Sequence, residues 1–256
     1  MTNQGRLLGK SAIVTGAAGG IGEVTAKVLS REGASIAIAD VNLPEAKRVA
    51  SEIEESGGTS LAIQVDVTRF QEVAEMVKSL LDRWGAIDIL VNNAGGFSKF
   101  SSILEITEDE WDQVLALNLK STFLCCQAVA GSMMEKQKGR IVNIASRAAL
   151  APNPGGPDYL PYGAGKAGVI GFTRLLAKEL GPYGITVNAI APGTTLTARV
   201  KKLRGPQSIK DVAEKIPLGH LVEPQDCAEA VLFLASEEAR NITGINLNVN
   251  AGMLII

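Results

Sequence analysis

A chain of 256 residues, 46% of them hydrophobic, suits one α/β domain, large enough to bury about 70–75% of the surface its unfolded chain exposes. The formal net charge of −2, with Lys and Arg dispersed along the chain, offers no nucleic-acid surface. No apolar run approaches the ~20 residues that cross a bilayer, and the start, Met1 to Lys10, lacks the apolar core of a signal peptide. Cys125, Cys126 and Cys227 are too few and too badly placed for a disulfide framework. The expectation is a cytoplasmic protein with buried thiols and neither a membrane nor a nucleic-acid partner.

Ser11-Ala-Ile-Val-Thr15 is a short apolar run of strand character, and a helical pattern follows from Ile21 to Arg31. Gly16, Gly20 and Gly22 lie between and within them, spaced Gly-x-x-x-Gly-x-Gly. Strand, glycine turn and helix in that order put backbone N–H groups and a helix N-terminus where a pyrophosphate can sit. The next strand, expected at 35–40, ends on Asp40. A carboxylate there can accept hydrogen bonds from both ribose hydroxyls and would repel a 2′-phosphate. Ala17, Ala18 and Val41 supply no compensating base, so the expected cofactor is NAD rather than NADP.

Further strands are expected near 60–65, 87–92, 139–144, 186–191 and 245–249. Runs such as Ile87 to Val91 and Ile141 to Ile144 are continuously apolar, as strands covered on both faces should be. Thr68-Arg-Phe-Gln71 and Thr107-Glu-Asp-Glu110 fit capping boxes, and Gly33, Gly85 and Gly181 sit where helices should stop. Alternation of strand and helix predicts a doubly wound parallel sheet with no second domain. Asn118 falls inside the helix starting at Thr107, although asparagine is a poor interior helix residue. Its side chain is free to bind a water or a neighbouring amine.

Ser146 stands just past the strand ending near Ala145, at the carboxyl edge of the sheet. Sixteen residues on, Tyr162-Gly-Ala-Gly-Lys166 places a phenol and an ammonium on one helix face. A tyrosine is a poor base at neutral pH, and a nearby ammonium should favour its phenolate. The serine hydroxyl aimed at the same point would polarise a carbonyl or hold an alcohol. Tyr159 is the rival phenol, but four residues beyond it lies Gly163, not a cation. Pro152 to Pro157 and Pro161 predict a stiff irregular loop before this helix. Thr194 to Gly219, mixing helical character with Gly205, Pro206 and Pro217, is expected to be a substrate lid. His220, the single histidine, follows as a loop residue, and no metal site is expected.

Taken together, Thr15 to Gly22, Asp66-Val67, Asn92-Asn93-Ala94-Gly95, Asn118, Ser146, Tyr162 with Lys166, and Pro192-Gly193 resemble the classical short-chain dehydrogenases/reductases over nearly the whole length. The chain looks like the 3-oxoacyl-carrier-protein reductases and the NAD-linked polyol and secondary-alcohol dehydrogenases. The resemblance implies one Rossmann-type α/β domain over 1–256, with a seven-stranded parallel sheet and helices on both faces. It also implies a homo-oligomer, a dimer of dimers.

By the same resemblance Gly16, Gly20, Ile21 and Gly22 hold the dinucleotide, Asp66 and Val67 the adenine, and Asn93, Ala94 and Gly95 its middle. Tyr162, Lys166, Pro192, Gly193, Thr195 and Thr197 complete the cofactor site, with Thr197 on the carboxamide. Asn118 would close a proton relay from Tyr162 through ribose, Lys166 and water. The implied reaction moves a hydride between NAD(H) and a secondary alcohol or ketone, of polyol, sugar or hydroxyacyl type, or a 3-oxoacyl chain on its carrier protein. Phe97, Ser146, Arg147, Tyr159 and Leu196 are candidates for the substrate pocket, with Arg147 either recognising a carboxylate or, in the plainer reading, forming an ion pair. A dinucleotide-sensing scaffold without turnover is the competing class; the complete Asn118, Ser146, Tyr162, Lys166 set favours an enzyme. The apolar tail ending Met253-Leu-Ile-Ile256 is expected to dock, plausibly on a neighbouring subunit.

Overall fold

The computed structural model describes residues 5–97, 99–152, 158–203 and 205–256. Seven strands, β1 (Ser11–Thr15), β2 (Ser35–Asp40), β3 (Thr59–Gln64), β4 (Ile89–Asn92), β5 (Gly139–Ile144), β6 (Ile185–Pro192) and β7 (Asn246–Val249), form one sheet in the order β3-β2-β1-β4-β5-β6-β7. Every neighbouring pair is parallel. The order reverses between β1 and β4, and the crevice beyond their carboxyl ends is where such sheets bind ligands.

Nine helices among the described residues cover the sheet: α1 (Gly20–Arg31), α2 (Leu43–Glu55), α3 (Phe70–Trp84), α4 (Glu108–Leu115), α5 (Ser121–Lys136), α6 (Leu160–Leu180), α7 (Ala198–Leu203), α8 (Pro206–Ala213) and α9 (Pro224–Ala235). Strand residues alternate between the two faces. Val14, Ile36 and Ile38 join Leu29 of α1, Val49 of α2 and Val231 of α9. On the other face Ile13, Leu90 and Val187 join Leu80 of α3, Met133 of α5 and Ala177 of α6. The buried strands are apolar on both sides, which is why their sequence runs do not alternate.

Local signals hold in part. Gly85 ends α3 in the left-handed region at φ 73°, but Gly181 stays right-handed and passes the chain into a short 3₁₀ turn that Gly184 closes at φ 67°. Thr107 caps α4 by accepting the Glu110 N–H at 3.2 Å. Thr68 caps nothing: α3 starts two residues later, and Asp66 Oδ1 instead accepts the Thr68 N–H at 2.9 Å and its hydroxyl at 2.7 Å. Between α4 and α5 the chain continues as a π-turn, Ala116–Lys120, so the helical run extends over 108–136. The most apolar 18 residues of that run reach a mean hydropathy of 1.3, but Asn118 and Lys120 interrupt them, so no continuous apolar span of membrane length arises. Here its Cys125, Cys126, Val129 and Met133 are packed against the sheet.

The thiols are buried as expected, and burial pushes Cys125 and Cys227 up to about 12. The loop expected at 152–157 lies outside the described residues beyond Pro152.

Candidate active site

Gly16 adopts φ +62°, and a Cβ there would lie 2.8 Å from the Ala94 Cα, so the turn from β1 into α1, where it passes the end of β4, admits only glycine. A Cβ on Gly22 would stand 2.3 Å from the Gly16 carbonyl oxygen. Gly19 has nothing within 4 Å, and Gly20 meets only the Thr197 Cγ2, 3.6 Å away. The start of α1 therefore opens onto a cleft whose far wall is Thr197, a cradle with room for a phosphate. Half-buried Ile21 packs beneath it on the α1 face of the core. Asn93 secures the turn: its Nδ2 donates to the Thr15 and Gly16 carbonyls, both at 2.9 Å. Thr15 Oγ1 accepts the Asn93 and Ala94 N–H groups, each at 3.0 Å. Nothing in the sequence pattern singled Thr15 out as the partner that anchors Asn93.

Asp40 closes β2 beside this cleft. Its Oδ2 accepts the Ala18 N–H at 3.1 Å and its Oδ1 the Asn42 N–H at 2.9 Å. Arg48 reaches the Ala18 carbonyl at 3.4 Å, yet its guanidinium is gripped by Glu23 at 2.9 Å, Glu45 at 2.8 Å and Glu52 at 2.7 Å. Asp66 is engaged with Thr68 first and Arg69 second, which holds its carboxyl below the usual range. Val67 is buried beneath it.

The four residues expected to act together converge where β4, β5, the π-turn and the first turns of α6 meet. Ser146 Oγ accepts the Ala148 N–H at 3.1 Å and stands close enough to the Tyr162 phenol to favour its ionised form. Lys166 is buried, and its Nζ donates to the Ile144 carbonyl at 2.6 Å. A Cβ on Gly95 would come within 2.8 Å of Asn118 Oδ1 and 3.0 Å of Lys166 Nζ, so the backbone there is closely wrapped by both.

Two details of the sequence reading are corrected. The Tyr162 phenol is raised, not lowered: burial dominates, while the Ser146 hydroxyl and the Arg199 charge pull the other way. Lys166 Nζ lies 5.9 Å from the Tyr162 ring centre and is spent on a carbonyl; burial lowers it to about 8. Asn118, for its part, bonds backbone rather than Lys166. Its Oδ1 accepts the Gly96 N–H at 2.8 Å, and its Nδ2 donates to the Gly96 carbonyl at 2.8 Å and the Val114 carbonyl at 2.9 Å. The π-turn that carries it is the kind of helix defect that serves sites.

Phe97 is the hub of the wall facing Tyr162. Its ring centre lies 4.9 Å from Tyr162, 5.0 Å from Tyr159 and 5.0 Å from Phe100. The Tyr159 hydroxyl donates to Glu110, which also pairs with Lys99 at 3.1 Å. That tether removes Tyr159 as a rival to Tyr162. Among the described residues Arg147 forms no ion pair; its Nη1 donates to the Ala151 and Pro152 carbonyls, both at 3.0 Å, and fastens the loop. Leu196 is half-buried and held through its N–H to the Val222 carbonyl at 2.7 Å. Pro192 ends β6, Gly193 packs on Asn250, and the buried Thr195 turns its hydroxyl inward to the Gly193 carbonyl and the Cys227 thiol. Of the two threonines, Thr197 faces the cleft. Arg199, beside Phe97, escaped the sequence reading because no spacing rule pointed to it.

This fold and this arrangement define a dinucleotide-dependent oxidoreductase acting on CH–OH or keto groups. The chain belongs to the short-chain dehydrogenase/reductase family: the family model described as enoyl-(acyl carrier protein) reductase matches residues 16–254. Membership brings a nicotinamide dinucleotide cofactor and a small-molecule substrate. The chain is 42% identical to the 3-oxoacyl-[acyl-carrier-protein] reductase FabG of Staphylococcus epidermidis, covering 96% of this chain and 99% of that one. It is 42% identical to the (2S)-[(R)-hydroxy(phenyl)methyl]succinyl-CoA dehydrogenase subunit BbsD of Thauera aromatica, covering 94% and 95%. Among solved structures, one described as a ribose-5-phosphate isomerase from Brucella melitensis 16M superposes with TM-score 0.90 at 39% identity, covering 98% and 95%. Another, gox2181, superposes with TM-score 0.93 at 34% identity, covering 98% of each chain.

Proposed function

We propose that the protein interconverts 3-oxoacyl and 3-hydroxyacyl thioesters with NAD(H). The observation that carries the reaction is the Ser146 hydroxyl set beside the Tyr162 phenol at the sheet's carboxyl edge, with Lys166 one helical turn further on. FabG and BbsD, as named, act on an oxoacyl chain on a carrier protein and on a hydroxylated acyl-CoA. That supports the thioester reading over the polyol one. So does the wall: Phe97 and Phe100 offer ring faces, and the Tyr159 hydroxyl is already taken by Glu110. A polyol would leave its hydroxyls unpartnered there.

In reduction, the substrate carbonyl oxygen accepts hydrogen bonds from the Ser146 hydroxyl and the Tyr162 phenol. A bound nicotinamide dinucleotide supplies the hydride. Tyr162 passes its proton to that oxygen, and its raised affinity for the proton keeps it in the acid form until then. Lys166, near 8, can exchange a proton at working pH and stabilises the tyrosinate once it forms. Asn118 acts at one remove by clamping Gly96, which fixes the backbone that Lys166 and the cofactor's middle share. The glycine turn and Thr197 would hold the pyrophosphate end, and Asp40 the adenosine ribose.

NADH oxidation by 3-oxohexanoyl-N-acetylcysteamine tests the reading. Tyr162→Phe should lose at least ~10²-fold in turnover while NADH binding, followed by fluorescence, is kept. Near-normal turnover in that variant, or reduction of a 2-enoyl thioester instead of the 3-oxo one, would overturn it.

Cofactor choice rests on Asp40. A charge-assisted hydrogen bond contributes ~1.5–3 kcal/mol, which alone gives roughly 10- to 100-fold preference for a free 2′-hydroxyl. Arg48, which reaches the Ala18 carbonyl, is neutralised by three carboxylates. Asp40→Ser should narrow the gap between NAD(H) and NADP(H) in kcat/KM. A parent enzyme that already prefers NADP(H) rejects the assignment.

A further inference from the structure

Segment 194–219 is charged unlike the rest of the chain. It holds six Lys or Arg against two acids, Asp211 and Glu214, in a protein whose net charge is −2. Arg199 is the cation of this segment that reaches the aromatic wall. Its guanidinium carbon lies 5.7 Å from the Phe97 ring centre, and its Nη2 donates to the Phe97 carbonyl. Nη1 stands so near the backbone that a Cβ on Gly96 would come within 3.0 Å of it. Phe97 in turn touches Tyr162, with ring centres 4.9 Å apart. Among the described residues no carboxylate pairs with Arg199. A guanidinium on an aromatic face keeps most of its five N–H donors for a ligand, and its planar fork suits a carboxylate or phosphate.

We infer that Arg199 selects substrates bearing an anionic group, a carboxylate on the acyl chain or a phosphate on the thiol carrier, and seats that group beside Phe97 while the keto carbon meets Tyr162. The inference rests on the thioester reading and deepens it. Lys201 and Lys202, exposed on the same short helix, add to a local field that draws anions to the cleft. The same guanidinium charge reaches the Tyr162 phenol and favours its ionised form, so an anion seated on Arg199 would also shift the pH at which Tyr162 works.

The experiment compares kcat/KM of the parent, Arg199→Met and Arg199→Lys on three thioesters. 3-Oxohexanoyl-N-acetylcysteamine carries no anion, 3-oxoadipyl-N-acetylcysteamine a carboxylate only, and 3-oxohexanoyl-CoA phosphates only. Arg199→Met should lower the ratio of anionic to neutral substrate by about ten-fold or more, chiefly through KM, and Arg199→Lys should restore part of it. A drop confined to 3-oxoadipyl assigns the carboxylate, and one confined to the CoA thioester assigns the phosphate. Equal changes on all three overturn the inference while leaving the thioester reading intact. If the parent turns over none of them, the thioester reading fails. Line broadening of adipate against hexanol in NMR titrations then decides: broadening lost in Arg199→Met supports the anion seat, and equal broadening rejects it.

Discussion

Lys166 shows what burial does to a single group and how to measure it. Free lysine keeps its proton to about 10.4, whereas burial lowers this one to about 8. Below about 8 the ammonium is charged in both states and the folded protein bears the full cost of burying it. Between there and the unfolded value the unfolded chain holds more protons, so this group's contribution to stability rises with pH. Lys166→Met should remove that rise: urea unfolding at pH 7 and pH 9.5 should show a gain in the parent larger by a few kcal/mol than in the variant. Equal gains would mean that the ammonium is solvated in the folded state. Tyr162 and Lys166 were legible as a pair from their four-residue spacing, but not the direction of their proton affinities. Burial sets both directions, and it comes from elements far off in the chain, such as the strand whose Ile144 carbonyl accepts from Lys166 across 22 residues. Arg199 was invisible for the same reason, since its place beside Phe97 comes from a fold-back across 102 residues.

At the level of elements, the glycine turn separates two jobs that one motif performs. Gly16→Ala meets both a left-handed backbone and the Ala94 Cα at 2.8 Å, and should destabilise the fold by ~1–3 kcal/mol. Gly19 is extended at φ −174°, with open space around its Cβ position. Gly19→Ala should therefore leave the melting temperature unchanged and weaken dinucleotide binding by intruding on the cradle. Thermal melts and NADH titrations on both variants check this; loss of stability in Gly19→Ala, or none in Gly16→Ala, would refute the division. Strands were readable almost to the residue because the central ones, β1, β4, β5 and β6, are buried on both faces and composed accordingly. The Thr68 cap was misread because Asp66, two residues earlier, offers a stronger acceptor. The 108–136 run read as one helix because a π-turn leaves no compositional mark.

Across the whole molecule, the surface keeps apolar groups that water alone does not favour. Trp111, Phe123 and Leu175 are 37%, 43% and 73% exposed on α4, α5 and α6, and Phe123 meets Phe172 edge-on at 6.3 Å. The tail is largely docked on its own chain: Leu218 donates to the Ala251 carbonyl at 3.2 Å, and a Cβ on Gly252 would sit 3.0 Å from Pro217. Only Ile255 and Ile256, 82% and 81% exposed, are left to a neighbour. Light scattering at micromolar concentration should give a mass above the 26.8 kDa monomer; the monomer mass would reject assembly through these faces. The π-turn at 116–120 has a last consequence for how this protein tolerates change. One extra residue in a helix advances its phase by about 100°, so the stretch before the turn and the stretch after it keep separate angular registers. Deleting a single residue there would leave a longer, more regular helix. It would also swing either the Asn118 clamp off Gly96 or the Cys125–Met133 stripe off the sheet, so the length of this ordinary-looking helix is as constrained as its sequence.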